Sequence, residues 1–422
     1  MQKKIIHLGI GDLSLLDAVK MYKNPLLPDV NYLEEKSILM HLTVTGRCYA
    51  QCLGCINSAI TMGCDSPRNT LEIFQETEPE RDTKIIELLS KRHPDKPITV
   101  CFYGGEPFLE LDKMQKAWKI LKAYDTEKRF RFLVYTNGEL LIDALRLYPE
   151  FMKDIWVFSV SIDGREEQHN RVRRGTRLRK IIENLKSLSS SYEGNILFWS
   201  TLRESQSLYD CFEEFIDLYQ KKLVNNFFWH WAEDRKPFLD FSSYALRYGQ
   251  ELGQIMGVYV EEISKGRLLP ITHINELILY FLTGKERGHS ACGVELSKNY
   301  DIVSGEVYPC ADLPSILSIG KLNESGQLRL RDFDLSSLVE YKNRLGCYRC
   351  GVHAYCGGRC PVQAIAGSWQ RTLQYCQLMR LHVGIVQEHL DDIIDGIRKN
   401  GILLQDIYNR SAFLAKYTDV VP

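Results

Sequence analysis

The chain has 422 residues and a net charge of −1, from 53 Lys and Arg residues against 54 Asp and Glu residues. This balance excludes the strongly basic class of nucleic-acid-binding proteins. The content of 45% hydrophobic and 25% charged residues is typical of a globular protein, and about 150 residues per domain predicts two or three domains. No stretch offers the roughly 18 uncharged apolar residues of a membrane span. We therefore expect neither a nucleic acid nor a membrane as a partner.

The cysteines indicate the compartment. The chain has 13 of them, and the apolar run in residues 1–10 is too short and too interrupted for a secretion signal. We expect a cytoplasmic location, where thiols stay reduced, so metal binding is favoured over disulfides.

Residues 1–36 are predicted to form an N-terminal extension with an amphipathic stretch at 13–22. From residue 37 onward, apolar β-rich runs alternate with amphipathic helical patterns, which predicts an α/β fold with a parallel sheet. The predicted strands are residues 38–44, 98–103, 130–135, 156–162, 196–201 and 227–231. The predicted helices are residues 81–91, 113–124, 139–147, 177–188 and 208–223. Functional residues of such folds collect at the carboxyl ends of the strands.

Cys48, Cys52 and Cys55 form a C-x3-C-x2-C run just after the first predicted strand. Three thiolates on one loop can hold three corners of a cubane iron–sulfur cluster and leave the fourth iron open to a ligand. A structural zinc ion would need a fourth ligand from a distant part of the chain. The residues alone leave both interpretations open and favour the cluster.

This run resembles the cluster loop of the radical S-adenosylmethionine (radical SAM) enzymes. The resemblance implies a partial (β/α)6 barrel and a [4Fe-4S] cluster whose open iron binds the methionine moiety of S-adenosylmethionine (SAM). It also implies one-electron cleavage of SAM to a 5′-deoxyadenosyl radical. Many members carry an aromatic residue just before the third Cys, where this chain has Gly54.

Further residues match SAM-binding motifs of that family. Gly104, Gly105 and Glu106 follow the second strand and resemble the motif that holds the methionine amine. Ser161 ends the fourth strand and is expected to contact the ribose. Arg171 is the best match for the arginine that holds the SAM carboxylate.

Three acidic residues follow strand ends. Glu233 and Asp234 close the sixth strand, whose end faces the substrate in such barrels, so both are candidates for the general base. Asp163 follows the fourth strand, and its role is open between a turn cap and a site residue.

Seven cysteines appear after residue 290, spaced C-x12-G-x4-C, a gap, C-x2-C-x5-C-x3-C, a gap, and C. Together with His353, they would also suffice for two zinc ribbons. The spacing, including Gly305, resembles the SPASM domain, which holds two auxiliary iron–sulfur clusters. Because the array follows a radical SAM-like segment, the SPASM interpretation is favoured.

The SPASM resemblance implies two ligand sets. The outer cluster would be held by Cys347, Cys350, Cys356 and Cys376. The inner cluster would be held by Cys292, Cys310 and Cys360. No further Cys follows the first of these closely, so we expect an open iron available to a substrate group or to a ligand such as Glu295. Three [4Fe-4S] clusters use ten cysteines, and the other three are expected to be structural, namely Cys64, Cys101 and Cys211.

The predicted organisation is an N-terminal extension (1–36), a radical SAM partial barrel (37–235), a helical linker (236–290), a SPASM domain (291–380) and a C-terminal helical segment (381–422). The resemblance implies oxidative modification of a peptide or protein side chain, as a cross-link, a thioether or a side-chain oxidation. We expect anaerobic chemistry, with auxiliary clusters as electron acceptors and an external flavodoxin- or ferredoxin-type donor.

Two alternatives remain at this point. One is a radical SAM oxidoreductase acting on a small molecule, such as a sugar or an amino-acid derivative. The other, from a different class, is a non-catalytic zinc or electron-transfer module, which would explain the cysteines but not residues 103–107.

Overall fold

The computed structural model describes residues 26, 27, 30–55, 76–296, 299–310, 312, 317–331 and 333–418. Cys64 and the amphipathic stretch predicted at residues 13–22 lie outside these residues. No helix in the described ranges is both long and apolar enough to cross a lipid bilayer.

The described strands form one mixed sheet. They are β1 (Ile38–Thr45), β2 (Ile98–Gly104), β3 (Phe130–Thr136), β4 (Ile155–Ser161), β5 (Asn195–Leu202), β6 (Asn226–Trp231), β7 (Asn299–Val303), β8 (Glu306–Tyr308), β9 (Gly320–Leu322) and β10 (Leu328–Leu330). Their order is β10-β9-β8-β7-β1-β2-β3-β4-β5-β6. Strands β1 to β6 are parallel, and β7 also pairs in parallel with β1. The predicted α/β fold with a parallel core is confirmed, and all six predicted strands agree within one residue at each end.

Helices cover the outer face of this sheet and extend beyond it. Between the parallel strands lie α1 (Pro79–Ser90), α2 (Leu111–Tyr124), α3 (Leu141–Leu147), α4 (Pro149–Asp154), α5 (Glu166–Val172), α6 (Leu178–Ser189) and α7 (Leu208–Gln220). After β6 come α8 (Phe241–Ser264) and α9 (Thr272–Thr283). The C-terminal helices are α10 (Tyr341–Leu345), α11 (His353–Cys356), α12 (Pro361–Ala366), α13 (Trp369–Glu388), α14 (Leu390–Asn400) and α15 (Leu404–Arg410). Short 3₁₀ helices span Pro107–Glu110, Val294–Leu296, Leu335–Val339, Cys347–Arg349 and Ala412–Tyr417. The short helices α4 and α5 were not predicted.

Strand β1 shows why these runs form a buried sheet. All eight of its residues are buried, as expected of a parallel strand covered on both faces. Side chains alternate along it, so Met40 and Leu42 pack against the helices while Leu39 and His41 point to the opposite, inner face.

The segment that carries the C-terminal cysteines continues the same sheet. Strand β7 pairs with β1, and β7 turns back into β8 through Ser304 and Gly305, whose φ angles are +49° and +86°. Positive φ at both positions matches the two-residue turn favoured in hairpins. Gly305 of the SPASM-like spacing therefore has a backbone role.

The C-terminal 3₁₀ helix, Ala412–Tyr417, packs on the inner face of the sheet. Leu414 and Tyr417 are buried against Leu39, Leu133 and other inner-face residues. The sequence predicts helices in this segment but not their burial within the sheet.

Glu106 joins the ends of β2 and β3. Its carboxylate accepts hydrogen bonds from the backbone of Asn137 (2.8 Å) and Phe108 (3.2 Å) and from the Thr136 hydroxyl (2.9 Å). Burial raises the pKa of Glu106 to about 7, although these hydrogen bonds act in the opposite direction.

Leu414→Ala is expected to destabilise the protein by about 2–5 kcal/mol, because it removes a fully buried leucine from the inner face. Leu403→Ala is the matched control, since that side chain is 64% exposed and should change stability by no more than about 0.5 kcal/mol. Urea unfolding midpoints measure both effects. Equal shifts in the two variants would contradict the packing of this segment.

Glu106 predicts a specific pH dependence of stability. A carboxyl whose pKa is raised on folding contributes stability that is complete below its unfolded pKa of 4.5 and is lost as the pH rises through about 7. Glu106→Gln should remove this component, so its unfolding midpoint should fall less between pH 5 and pH 8 than that of the wild type. Glu150→Gln, at a side chain that is 82% exposed, should keep the wild-type profile.

Candidate active site

One cavity on the inner face of the parallel strands, extending to their carboxyl ends, receives residues from both halves of the chain. Six thiols line it, those of Cys48, Cys52, Cys55, Cys292, Cys310 and Cys360. Gly104, Gly105 and Ser161 also line it, as predicted for a SAM site. The predicted SAM residues and the predicted inner-cluster cysteines therefore face the same space.

The loop with the first three cysteines begins directly after β1. The Gln51 backbone N–H donates to the Arg174 carbonyl (2.7 Å), and that of Leu53 donates to the Val172 carbonyl (2.9 Å). These bonds fix the loop against the segment that follows α5.

The loop after β1 supplies three thiol donors to the cavity, those of Cys48, Cys52 and Cys55. Across the described part of the chain, no three His, Cys, Asp or Glu side chains converge on a position for one metal ion. Zinc ligands must all lie about 2.0–2.3 Å from one ion, whereas each thiolate of a cubane binds a different iron. Burial raises the pKa of Cys52, and Arg173 acts against this by favouring the thiolate.

Gly104 and Gly105 allow β2 to approach the cysteine loop. The Gly105 N–H donates to the Thr45 carbonyl (2.8 Å), and the Glu106 N–H donates to the Arg47 carbonyl (2.9 Å). A Cβ atom on either glycine would overlap the backbone of the loop. Gly104 also has φ of +134°, which favours glycine. The Glu106 side chain is buried behind this wall, so the glycine backbone is what faces the cavity.

Arg171 does not reach the cavity. It is exposed, and its guanidinium donates to the Ser205 carbonyl (3.2 Å). Arg173 lines the cavity instead, as does Arg203. The physical reason is that α5 ends at Val172, so the next side chain projects from a turn rather than from the exposed helix face. This placement corrects the prediction for Arg171.

Asp163 orients the two cavity arginines. Its carboxylate accepts hydrogen bonds from Arg173 Nε (2.8 Å), Arg203 Nη1 (2.8 Å) and the Thr201 backbone (2.9 Å). Burial alone would raise the pKa of Asp163, but the two guanidinium groups outweigh it and hold the pKa well below the usual range. Asp163, whose role the sequence left open, is therefore a site residue.

His41 and Asp301 form a buried pair in the cavity wall that sequence reasoning missed. They are register partners on β1 and β7, and His41 Nδ1 lies 2.6 Å from Asp301 Oδ1. Burial lowers the pKa of His41, but Asp301 outweighs this effect and raises it well above its ordinary value. A histidine on the inner face of β1 was the available signal, since Leu39, His41 and Thr43 alternate with outward-facing residues.

Aromatic rings line the inner part of the cavity. Tyr103, Tyr135 and Trp199 lie side by side on β2, β3 and β5, with ring centroids 5.8 Å and 5.2 Å apart. His230 on β6 also lines the cavity and bonds to the Thr201 hydroxyl (2.9 Å). The sequence analysis did not single out the aromatic residues of β2, β3 and β5.

Glu233 and Asp234 lie outside the set of cavity-lining residues. The Asp234 backbone is held by the side chain of Gln363 through two hydrogen bonds (2.8 and 2.9 Å). Burial raises the pKa of Glu233, but His230 and Arg359 outweigh it and lower the pKa below its ordinary value. Both predicted general bases are buried and do not line the cavity, because β6 has ended at Trp231 and the Asp234 backbone is held against α12. This placement corrects that prediction.

The C-terminal thiols influence one another within two sets of neighbours. Burial raises the pKa of Cys376, and so do three neighbouring thiols, those of Cys356, Cys347 and Cys350. Burial together with its neighbours raises the pKa of Cys347 to about 12. A second group is formed by Cys310 with Cys292 and Cys360, whose proximity adds to the effect of burial. The four-thiol group lies away from the cavity, and the three-thiol group lines it.

The Glu295 side chain, predicted as a possible ligand of the inner cluster, does not line the cavity. Its carboxylate accepts hydrogen bonds from the Ser290 backbone and hydroxyl (2.6 Å each) and pairs with Lys342 (3.1 Å). These contacts turn it away from the cavity, so the structure does not favour it as a ligand of the three-thiol group.

The cysteines that were predicted to be structural are buried where they are described. Cys101 lies on the inner face of β2 beside His41, its register partner on β1, and Cys211 lies in α7 next to Gln168. Both are 0% exposed.

Comparison with known proteins supports this description. Residues 42–200 match the model of the radical SAM superfamily. The fold is similar to that of native anSMEcpe with bound AdoMet (TM-score 0.62, 17% identity, covering 85% of this chain and 99% of that one). The fold is also similar to that of native anSMEcpe with bound AdoMet and Cp18Cys peptide (TM-score 0.60, 17% identity, covering 85% of this chain and 99% of that one). Streptococcus suis SuiB bound to S-adenosylmethionine gives a TM-score of 0.47 at 15% identity, covering 85% of this chain and 83% of that one. No curated protein sequence matches the chain.

The sequence match covers the cysteine loop, the glycine pair and strands β2 to β4, and the fold likeness covers 85% of the chain. Residues 42–200 therefore form a radical SAM domain, and the fold of the chain as a whole is similar to that of anSMEcpe.

Proposed function

We propose that this protein uses SAM-dependent radical chemistry to oxidise a side chain of a peptide or protein, with iron–sulfur clusters in its C-terminal region as electron acceptors. The observation that carries the proposal is the shared cavity. Thiols from the loop after β1 and thiols from the C-terminal region line the same space, together with a wall of aromatic rings. A substrate bound there would lie between the two groups.

The cofactor site is assigned to residues around the first group. Cys48, Cys52 and Cys55 would hold the [4Fe-4S] cluster that binds SAM. The exposed backbone of Gly104 and Gly105 would receive the methionine amine, and Ser161 the ribose. Arg173 would replace Arg171 as the partner of the SAM carboxylate, with Asp163 fixing its orientation.

The expected reaction removes two hydrogens from the substrate. When bound, SAM and the clusters would supply a 5′-deoxyadenosyl radical that takes one hydrogen atom and an acceptor that takes one electron, and a proton is then released. Among the described cavity residues, Asp301 and Asp312 carry carboxylates. The proton acceptor is therefore sought among these residues rather than at Glu233 or Asp234.

A peptide substrate is favoured by the fold likeness to anSMEcpe, which has been seen with Cp18Cys and Kp18Cys peptides. The aromatic wall of Tyr103, Tyr135 and Trp199 provides a surface on which a side chain can pack. An external one-electron donor of the flavodoxin or ferredoxin type would reduce the SAM cluster.

Arg173→Gln is expected to weaken SAM binding at least tenfold, because it removes a charge-assisted contact to the SAM carboxylate in a buried site. Arg171→Gln is the matched control, since it removes the same charge two residues away on the surface. Equilibrium binding of SAM to anaerobically reconstituted protein measures both. Equal weakening, or weakening only in the Arg171 variant, would contradict the assignment.

Anaerobic purification with SAM, followed by intact mass of the co-purifying polypeptide before and after reduction, tests the function directly. A loss of two hydrogens, with formation of 5′-deoxyadenosine, is the expected result. Cys48→Ala should abolish both, whereas Cys347→Ala should reduce product more than 5′-deoxyadenosine. Consumption of SAM with no bound polypeptide would favour a small-molecule substrate. Absence of SAM cleavage in the wild type would overturn the enzyme assignment.

A further inference from the structure

Residues 171–180 form a basic run that the proposed function does not use. The run contains six Arg or Lys residues and no acidic residue. Arg173 lines the cavity, whereas four other arginines of the run are exposed. We call these four the arginine surface: Arg171, Arg174, Arg177 and Arg179. In a chain with a net charge of −1, such a local excess of positive charge attracts a partner that carries negative charge.

Two arginines of this surface have carboxylate partners. Arg179 Nε lies 2.8 Å from Glu166 Oε2, and Arg177 Nε lies 3.6 Å from Glu139 Oε1. Both guanidinium groups remain mostly exposed, at 81% and 73%, so water screens these pairs. The other two arginines form no ion pair within the part of the chain that the structure describes. The arginine surface therefore keeps an excess of positive charge.

The arginine surface adjoins the loop that carries the first three thiols. The Gln51 backbone N–H donates to the Arg174 carbonyl (2.7 Å), and a Cβ atom on Gly175 would lie 3.1 Å from the Ala50 Cα. The two backbone segments are therefore in contact. Gln51 is exposed and immediately precedes Cys52. One proposed cluster ligand is thus a single residue away from the protein surface at this place.

The loop separates the arginine surface from the cavity. Alternate residues of the loop line the cavity, namely Cys48, Ala50, Cys52 and Gly54, together with Cys55. Neither Gln51 nor the arginine surface belongs to this lining. A side chain that reacts must enter the cavity, whereas an electron can pass to the cluster through the loop. The position therefore suits an electron donor better than it suits a substrate.

We propose that the arginine surface docks the external electron donor, a flavin or iron–sulfur protein with an acidic face. The inference rests on the proposed function, in which the first three thiols hold a cluster that has to be reduced. In this step the donor loses one electron and the cluster gains it, and no bond forms or breaks. Opposite charges speed the encounter of two proteins and orient them before contact.

The test compares two reductants of the reconstituted full chain, with 5′-deoxyadenosine formation from SAM as the measurement. With limiting flavodoxin hydroquinone at low salt, the double variant Arg171→Gln, Arg174→Gln should be about five- to tenfold slower than the wild type. The difference should shrink as the salt concentration approaches about 0.15 M, where the Debye length is about 8 Å. With photoreduced 5-deazariboflavin, a small uncharged reductant, the variant should keep the wild-type rate.

The matched control is Arg398→Gln with Lys399→Gln. It removes two exposed charges from α14, which packs against α8 rather than against the cysteine loop. Both rates should stay at the wild-type values. If the arginine variant loads less iron than the wild type, Arg171→Gln with Arg179→Gln takes its place.

An unchanged rate with flavodoxin, at the iron content of the wild type, would overturn the docking site. Equal slowing with both reductants would also overturn it, because the arginines would then act on SAM or on the substrate. If neither reductant yields 5′-deoxyadenosine from the wild type, the proposed function is wrong and the docking site falls with it. The uncharged reductant thus separates the two failures.

Discussion

The arrangement of this protein depends on the pairing of β1 with two strands at once. On one side β1 pairs with β2, whose end carries Gly104 and Gly105, and on the other it pairs with β7 from the C-terminal region. Both pairings are parallel, so the ends of all three strands meet at one edge of the sheet. The cysteine loop follows β1 directly. The inner thiols lie towards the other end of these strands, because Cys292 precedes β7 and bonds to its first residue, Asn299, and Cys310 follows β8, which runs back along β7. The length of β1 and β7 therefore separates the first three thiols from these inner thiols.

The polar groups at this edge are held in place before any ligand arrives. Asp163 accepts hydrogen bonds from Arg173 and Arg203, and Glu106 accepts one from the backbone of Asn137. His41 is hydrogen-bonded to Asp301. Buried polar groups of this kind are costly unless their hydrogen bonds are satisfied, and satisfied networks are rigid. Such rigidity suits a site that must hold a cofactor and a substrate in fixed relative positions.

Sequence reasoning succeeded where the signal is local. The six parallel strands are continuous apolar runs, as expected when both faces are covered, and the cysteine spacings fix which thiols can share a loop. It failed where one turn of backbone decides the direction of a side chain. Arg171 and Arg173 have the same chemistry and nearly the same position, and only the end of α5 separates an exposed residue from a cavity residue. Glu106 similarly follows a matching motif, yet its side chain turns inward to the nearby Phe108 N–H and to two donors at the end of β3, those of Thr136 and Asn137.

The position of the C-terminal segment could not be predicted from sequence, because it depends on contacts with residues far away along the chain. That position also matters for the chemistry of the site. Nothing local distinguishes residues 412–417 from an ordinary surface helix, because their partners are on strands hundreds of residues earlier. In the fold, the Tyr417 hydroxyl bonds to Ser37 (2.7 Å) and Glu35 (2.9 Å), and its ring meets Trp156 edge-on at 5.1 Å. Leu414 fills the inner face between these contacts, and Thr418 lines the cavity. The segment therefore covers the inner face of the sheet below the cavity. A reactive radical is protected from side reactions only where water is excluded, so this cover helps to make the site suitable for radical chemistry.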